Sequence, residues 1–367
     1  MPKNSSKAIA KLTIKDIAEL AGVSPSTISI VLNNKEGVSA KTRDRVLKIV
    51  KEFNYTPNQV ARSLVQRRSR CIGMVIPNTY NYSVFPELAW GVDRVLQQHG
   101  YSLSLISTHD DPELEAREIE SAKARGIDGI ITSSAVLGTQ NLPRLVEEGF
   151  PVISLLRRVY DCPQLEFVIV DHFKGGYLAA EHMIRMGHER IGLLRGPANL
   201  CPGLERYQGA VQAMADYGVS LHPELIRQGK FSQEFGWEAA TDMLRLDSKR
   251  RPSAMVCGND DLALGTFEAI LDAGLEVGQD VAVVGFNNIK TTSLKRIEIT
   301  TISQQSQEMG QLAANRLIER IENPEQASAP YRKVLQPQLI IRKSCGYEPG
   351  KYLMERPAGA KPERPEA

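Results

Sequence analysis

Thr13-Ile14-Lys15-Asp16-Ile17-Ala18-Glu19-Leu20-Ala21-Gly22-Val23-Ser24-Pro25-Ser26-Thr27-Ile28-Ser29-Ile30-Val31-Leu32 decides how the N-terminal segment folds. Thr13 and Asp16 have the spacing of a capping box: the hydroxyl accepts from the third helical amide and the carboxylate reaches back to the cap amide. Ile14, Ile17, Ala18 and Ala21 recur at 3, 4 and 7 spacing, which gives this first helix one apolar face. Gly22 supplies the turn that ends it. Ser24 then caps a second helix with Pro25 at its first position, where the missing N–H costs nothing. Ile28, Val31 and Leu32 form its buried face, and it ends near Asn33-Asn34. Two short helices joined by a glycine turn are a helix-turn-helix.

Immediately downstream, Ser39 caps a third helix over residues 40–53. Its periodicity predicts Val46, Leu47, Ile49, Val50 and Phe53 inward and Lys41, Arg43, Arg45, Lys48 and Lys51 outward. Pro57 closes this unit (13–57), which a basic arm (1–12) precedes and a hinge and linker (58–70) follow. Asn58 to Leu64 has room for under two helical turns, so it orders only against a partner. The first 70 residues hold 14 Lys and Arg against 5 Asp and Glu, a net of +9, whereas the remainder carries 31 against 38, a net of −7. A basic head on a mildly acidic body implies that the head meets a polyanion.

From Cys71 onward, short β-branched runs alternate with amphipathic stretches. Ile72–Ile76, residues 103–106 and 129–131 alternate with helical patterns over 87–99 and 112–124, and the rhythm resumes after Phe167-Val168-Ile169-Val170. That is the pattern of βαβ units and parallel sheets, here in two α/β halves of similar size (71–345). The fold class is therefore α/β with a small all-α head. Across all 367 residues, 42% hydrophobic and 24% charged content is ordinary for globular domains and excludes fibrous or wholly disordered classes. No apolar run reaches the length of a bilayer span, and no apolar stretch follows the basic N-terminus, so a cytoplasmic chain without membrane association is expected. Five scattered cysteines with no C-x-x-C pair encode neither a disulfide framework nor a zinc site. His182 and His188 are better explained by a helix end at Gly187 than by a metal, and Asp171-His172 beside Gly175-Gly176 by a capped crossover than by a catalytic dyad. Phosphate-loop, dinucleotide, zinc-protease and serine-elbow motifs are missing, which argues against an enzyme and against a cofactor.

Thr13-Ile14-Lys15-Asp16-Ile17-Ala18, Ala21-Gly22-Val23-Ser24, Val38-Ser39-Ala40-Lys41-Thr42-Arg43 and Asn54-Tyr55 with Pro57-Asn58 and Val60-Ala61 resemble the lactose-repressor (LacI) family of bacterial transcription regulators, over about Thr13 to Ser344. The resemblance implies a head whose second helix enters the major groove of double-stranded DNA, with Asn58 to Leu64 as a hinge helix in the minor groove. Hydroxyls and amides of Thr13, Ser24, Thr27, Ser29, Asn33, Ser39, Thr42 and Asn58 suit phosphate oxygens, which fix register without reading sequence. Base reading falls to Pro25, Ser26 and Ile30 and to Ala61 and Leu64, the last as an apolar wedge. Ile30 stands where the family frequently has Arg, so bidentate guanine recognition is absent from that position.

For the body the resemblance implies a periplasmic-binding-protein-like pair of lobes, joined by crossovers near Val170, Thr301 and residues 332–334, that hold a small-molecule effector between them. The positions matching effector contacts are Arg206, Phe231, Asn259, Asn287 and Gln304, with Arg157 as an additional cation; Asn259 and Asp260 also read as helix caps. The expected effector is a sugar or a small organic acid; sugar-responsive members commonly place acids where Asn287 and Leu156 stand, so this cleft inclines toward a less hydroxylated or anionic ligand. The tail (346–367), with four prolines and no leucine heptads, is expected to be disordered and encodes no tetramerising coiled coil. A homodimer on a near-palindromic operator is the expected assembly, because two half-sites need two heads. The expected function is thus an effector-controlled transcription factor, usually a repressor in this family. A cytoplasmic small-molecule-binding protein without a regulatory role is the alternative.

Overall fold

In the computed structural model, the described residues are 12–32, 36–53, 55, 68–77, 84–325, 329–348, 350, 352–357, 359–360 and 362. The chain divides into two compact units, residues 1–69 and 70–367.

In the first unit, α1 (Ile14–Ala21), α2 (Pro25–Leu32) and α3 (Ala40–Glu52) enclose a small core of Ile17, Ala18, Ala21, Ile28, Val31, Val46 and Tyr55. Both sides of the capping box form, with the Thr13 amide donating to the Asp16 carboxylate at 2.7 Å and the Asp16 amide to the Thr13 hydroxyl at 3.4 Å. Gly22 takes the left-handed conformation at φ 60°, which any residue with a Cβ adopts only at a cost. Leu47 and Phe53 correct the expected inward face of α3: they are 45% and 44% exposed. Only the stripe of Val46, Ile49 and Val50 reaches the core, because a 13-residue helix laid on two 8-residue helices has partners for one narrow face.

The second unit holds two six-stranded sheets. The first is ordered β11-β5-β4-β3-β1-β2, from β1 (Cys71–Ile76), β2 (Ser102–Ser107), β3 (Gly129–Thr132), β4 (Val152–Leu155), β5 (Glu166–Val170) and β11 (Arg332–Leu335), with every pairing parallel. Around it lie α4 (Phe85–Gln98), α5 (Pro112–Ala124), α6 (Asn141–Glu147) and, returning from later in the chain, α11 (Ser306–Glu322). The second sheet runs β12-β10-β9-β8-β6-β7, from β6 (Ile191–Arg195), β7 (Ile226–Gln228), β8 (Ala254–Cys257), β9 (Ala282–Asn287), β10 (Thr300–Ser303) and β12 (Gln338–Ile340). Only the β10–β12 pair is antiparallel. Its helices are α7 (His172–Arg185), α8 (Cys201–Asp216), α9 (Gln233–Leu244) and α10 (Asp260–Asp272). Glycines set the α7–α8 contact: a Cβ on Gly176 would collide with the Arg206 carbonyl, and one on Gly209 with that of Phe173.

The chain crosses between lobes at Asp171, at Gln304-Gln305 and at Gln336-Pro337. The last lies a few residues beyond the expected 332–334, because β11 stays paired with β5 as far as Leu335 before Pro337, which has no amide to donate, interrupts the ladder. Lys174 and Gln305 both bond Gln336, at 2.8 and 2.7 Å, and so tie the crossings together.

The expectation of a disordered tail is corrected for its described residues. The Leu353 amide donates to the Arg185 carbonyl at 2.8 Å, Tyr352 lies under the Arg185 guanidinium at 3.8 Å, and Arg356 pairs with the buried Glu181. Four prolines prevent a helix there, yet two tyrosines, a leucine and an arginine supply enough apolar and ionic contact to dock an irregular chain on α7.

Candidate functional site

In the head, the polar residues proposed for phosphate contact cluster at helix starts. The Ser24 hydroxyl lies 2.7 Å from that of Ser26 and 2.9 Å from that of Thr27, whose amide donates to it at 3.2 Å. Ser39 caps α3 through the Thr42 amide at 3.3 Å, and the two hydroxyls are 3.0 Å apart. Thr13, Ser24, Pro25, Ser26 and Ser39 are exposed, while Thr27, Ser29, Ile30 and Thr42 are half-buried. Capping and phosphate binding are compatible, since a hydroxyl that accepts from its own helix still has a proton to donate. Asn33, Asn58, Ala61 and Leu64, and with them the hinge helix, lie outside the described residues.

In the body, the ends of β4, β7, β8 and β9 and the start of α8 converge on a cavity of about 350 Å³ between the lobes. Both sheets reverse strand order beside it, between β1 and β3 and between β6 and β8, which is where open α/β sheets leave a crevice. Arg157, Arg206, Phe231, Asn259 and Asn287 all line it. Gln304 does not: it lies in the β10–α11 crossing, wholly buried, with both amide atoms unpartnered. Val84, Phe85, Leu156, Leu200 and Pro202 complete the lining.

The two lining arginines have different partners. Arg157 donates to the Asp110 carboxylate at 2.6 Å and to the carbonyls of Ser134 and Ala135 at 3.0 and 3.4 Å. Arg206, one turn into α8, donates only to neutral groups: the Gly258 carbonyl at 2.6 Å and Nδ1 of His172 at 3.3 to 3.4 Å. Its guanidinium carbon sits 3.6 Å from the centroid of the Phe286 ring. Burial pushes Arg206 down to about 9. His172 is held far below its ordinary value, first by burial and next by the charge of Arg206. Its Nε2 lies 2.8 Å from the Leu156 carbonyl; because that oxygen can only accept, Nε2 carries the proton and Nδ1 accepts from Arg206. His172 and Phe286 hold Arg206 in place, a contact the sequence alone did not indicate; Gly175 makes room for the Phe286 ring, which a Cβ there would strike.

Asn259 caps α10, accepting from the Leu262 amide at 2.9 Å, and donates to Asp261 at 3.1 Å, so its amide is largely committed. Asp260 accepts from the Thr301 hydroxyl at 2.6 Å and the Ile289 amide at 2.9 Å, and burial raises it to about 7. Asn287, at φ 120°, lines the cavity with its Oδ1 buried and unpartnered, and Leu156 opposite sits at φ 72°. A leucine in the left-handed region costs about 1 to 2 kcal/mol, so the lining is strained where it closes. The lobes also meet directly: the Leu137 amide donates to the Asn199 carbonyl at 2.9 Å, the Arg158 amide to Cys201 Sγ at 3.1 Å, and Tyr160 to Glu205. Burial raises the Cys201 thiol to about 12, which leaves it unreactive. No described group of His, Cys, Asp and Glu forms a metal-binding cluster, and no described helix is long and apolar enough to cross a membrane.

The family model described as bacterial regulatory proteins, lacI family, matches residues 13–58, and that described as periplasmic binding proteins and sugar binding domain of LacI family matches residues 69–342. The chain is 34% identical over 334 residues to the HTH-type transcriptional repressor PurR of Haemophilus influenzae (strain PittEE), covering 90% of this chain and 98% of that protein. It is 33% identical over 333 residues to the protein of the same name from Pasteurella multocida (strain Pm70), at the same coverage. Among solved structures it is similar to the lac repressor dimer bound to operator and the anti-inducer ONPF, with TM-score 0.81, 28% identity, and 91% of this chain and 99% of that chain covered. It is also similar to a CelR-cellobiose complex, with TM-score 0.69, 27% identity and the same coverage.

Proposed function

The chain belongs to the LacI family of bacterial regulatory proteins, and on that premise we propose how its head and its cleft share the work of a DNA-binding transcriptional repressor controlled by a small molecule. The head docks α2 in the major groove, Thr13, Ser24, Thr27, Ser29, Ser39 and Thr42 hold phosphates, and Pro25, Ser26 and Ile30 touch base edges. Asn58 to Leu64 form the hinge, with Leu64 as the wedge. Two chains pair so that two heads occupy a near-palindromic operator in the cytoplasm. The effector sits between the lobes against Arg206, Phe231 and Asn287. The work is binding, and we assign no reaction to the chain.

One observation carries this reading. A helix-turn-helix with its caps turned to solvent is joined in one chain to a cleft lined by a buried cation and an unpartnered amide. The cleft supplies binding energy that depends on how the lobes sit, and that dependence is what control of a second site requires. Gel-shift titration against genomic fragments, with and without metabolite extracts, tests it. Sequence-selective retention that falls steeply with salt and changes with the extract is expected, because a head of net +9 displaces counterions from phosphate. Salt-independent retention, or none, contradicts it.

A further inference from the structure

The lining of the cleft carries an imbalance of charge that its surroundings offset only in part, since burial still outweighs the neighbouring acids at Arg206. Among the described residues it includes two guanidinium groups and no carboxylate. Arg157 is neutralised by Asp110 at 2.6 Å. Arg206 is 5% exposed and bonds only a carbonyl and a neutral imidazole. Asp260 and Glu205 favour its charge through space but do not bond it: Glu205 meets the Tyr160 hydroxyl, and Asp260 meets Thr301 and the Ile289 amide. A buried cation without a bonded anion is costly, and a ligand anion seated on it would offset that cost. The guanidinium has five N–H donors, of which Gly258 and His172 take three at most, so an edge remains for a forked pair. Asn287 Oδ1 lines the same cavity, is buried, and accepts from nothing.

We infer that the effector is a small carboxylate that also carries a hydrogen-bond donor, its carboxylate on the free edge of Arg206 and its donor on Asn287. The inference rests on the cleft being the effector site and adds the chemical class. The lining comes from both lobes and surrounds a cleft rather than a channel, which suits a small molecule. The stack of Arg206 on Phe286 fixes the plane of the fork, and His172, which can only accept from Arg206, locks its rotation. A neutral polyol satisfies Asn287 equally well and leaves Arg206 uncompensated, so charge discriminates between the two classes.

Calorimetric titration of the full chain with glycerate, gluconate and mandelate, each beside its neutral counterpart glycerol, glucose and mandelamide, tests this. At least one acid should bind about 10 to 100-fold more tightly than its neutral partner, the range expected of a charge-assisted pair in a buried site. Asn287→Asp places a carboxylate beside Arg206 and should cost that acid a similar factor; Arg206→Met should do the same, and the two variants check each other if one folds poorly. Neutral partners binding as well as the acids, with Arg206→Met still abolishing both, would overturn the carboxylate inference and leave the cleft as the site. Binding untouched by either variant would overturn both. An acid panel that fails to bind at all counts against the inference, because each of the three acids carries both the carboxylate and the donor it requires.

Discussion

Two buried arginines line one cavity from opposite lobes, and they find their partners in different ways. On the first-lobe wall, Arg157 is built into the fold: Asp110 and two carbonyls hold it, and it ties the segments after β2, β3 and β4 together. On the second-lobe wall, Arg206 is held in place by an aromatic face, a carbonyl and a neutral histidine, and among the described residues no carboxylate bonds it. Identical side chains at similar depth thus do opposite things. One stabilises its lobe, and the other is kept available at the lobe's expense.

The largest effect should separate the two directly. Arg157→Met leaves a carboxylate that is 23% exposed without its cation. The loss should be about 2 to 3 kcal/mol, below the cost of breaking a fully buried pair because water still reaches Asp110. Arg206→Met removes an unpaired buried charge and can extend into the apolar hollow behind it, between Leu193 and Val256. Relief of the buried charge is set against the Gly258 carbonyl and His172 Nδ1 losing their donor, so the net change should be within about 1 kcal/mol, smaller than at Arg157. Equal losses on chemical denaturation would break the contrast.

A smaller effect, in pH, sharpens it. The folded His172 titrates well below the ordinary 6.5, so below that pH the unfolded chain takes up a proton that the folded lobe refuses, and stability falls as pH drops. His182, lowered to about 4 by burial, and His188 act in the same direction. Asp260 acts the other way. Its folded value of about 7 exceeds the ordinary 3.8, so its contribution is full below that lower value and is lost as pH rises through about 7. Three histidines outweigh one aspartate, and the melting temperature should fall on acidification from neutrality. His172→Gln should flatten that fall and Asp260→Asn should steepen it; an acid limb that neither variant moves would refute the assignment.

The head was legible because its polar partners are close in sequence. Thr13 with Asp16, Ser24 with Thr27 and Ser39 with Thr42 are each three residues apart, within one helical turn, so hydroxyl spacing alone locates three helix starts. The cleft was legible only in part. Arg206 reaches its carbonyl partner across 52 residues and His172 across 34, separations at which no periodicity operates. Gln304 sits at a crossing rather than in the lining, and whether a crossing residue turns toward the cavity depends on the packing of both lobes. Leu47 was misplaced because a periodic pattern says which residues share a face, not how wide a face the neighbours can cover. The tail was misread because proline content speaks against helix and strand, not against docking.

That tail offers the smallest test. Arg356 pairs with Glu181 at the rim of the second lobe, with the arginine side chain 45% exposed and the glutamate 4%. Glu181 keeps the Tyr217 hydroxyl at 2.8 Å when Arg356 is removed. Arg356→Ala should therefore cost about 1 kcal/mol, clearly less than Arg157→Met. A larger loss would mean that the tail, rather than the cleft wall, holds the lobe together.

The central claim is that a ligand on Arg206 controls the affinity of the head for DNA. Its most direct test is fluorescence-anisotropy titration of an operator fragment, selected from genomic DNA by the chain itself, with and without the tightest-binding acid. In the parent chain the acid should change operator affinity about 5 to 150-fold, and by linkage the operator should change acid affinity by the same factor. In Arg206→Met the ratio with and without acid should be close to unity. A variant whose operator affinity responds to the acid as strongly as the parent chain would contradict the account.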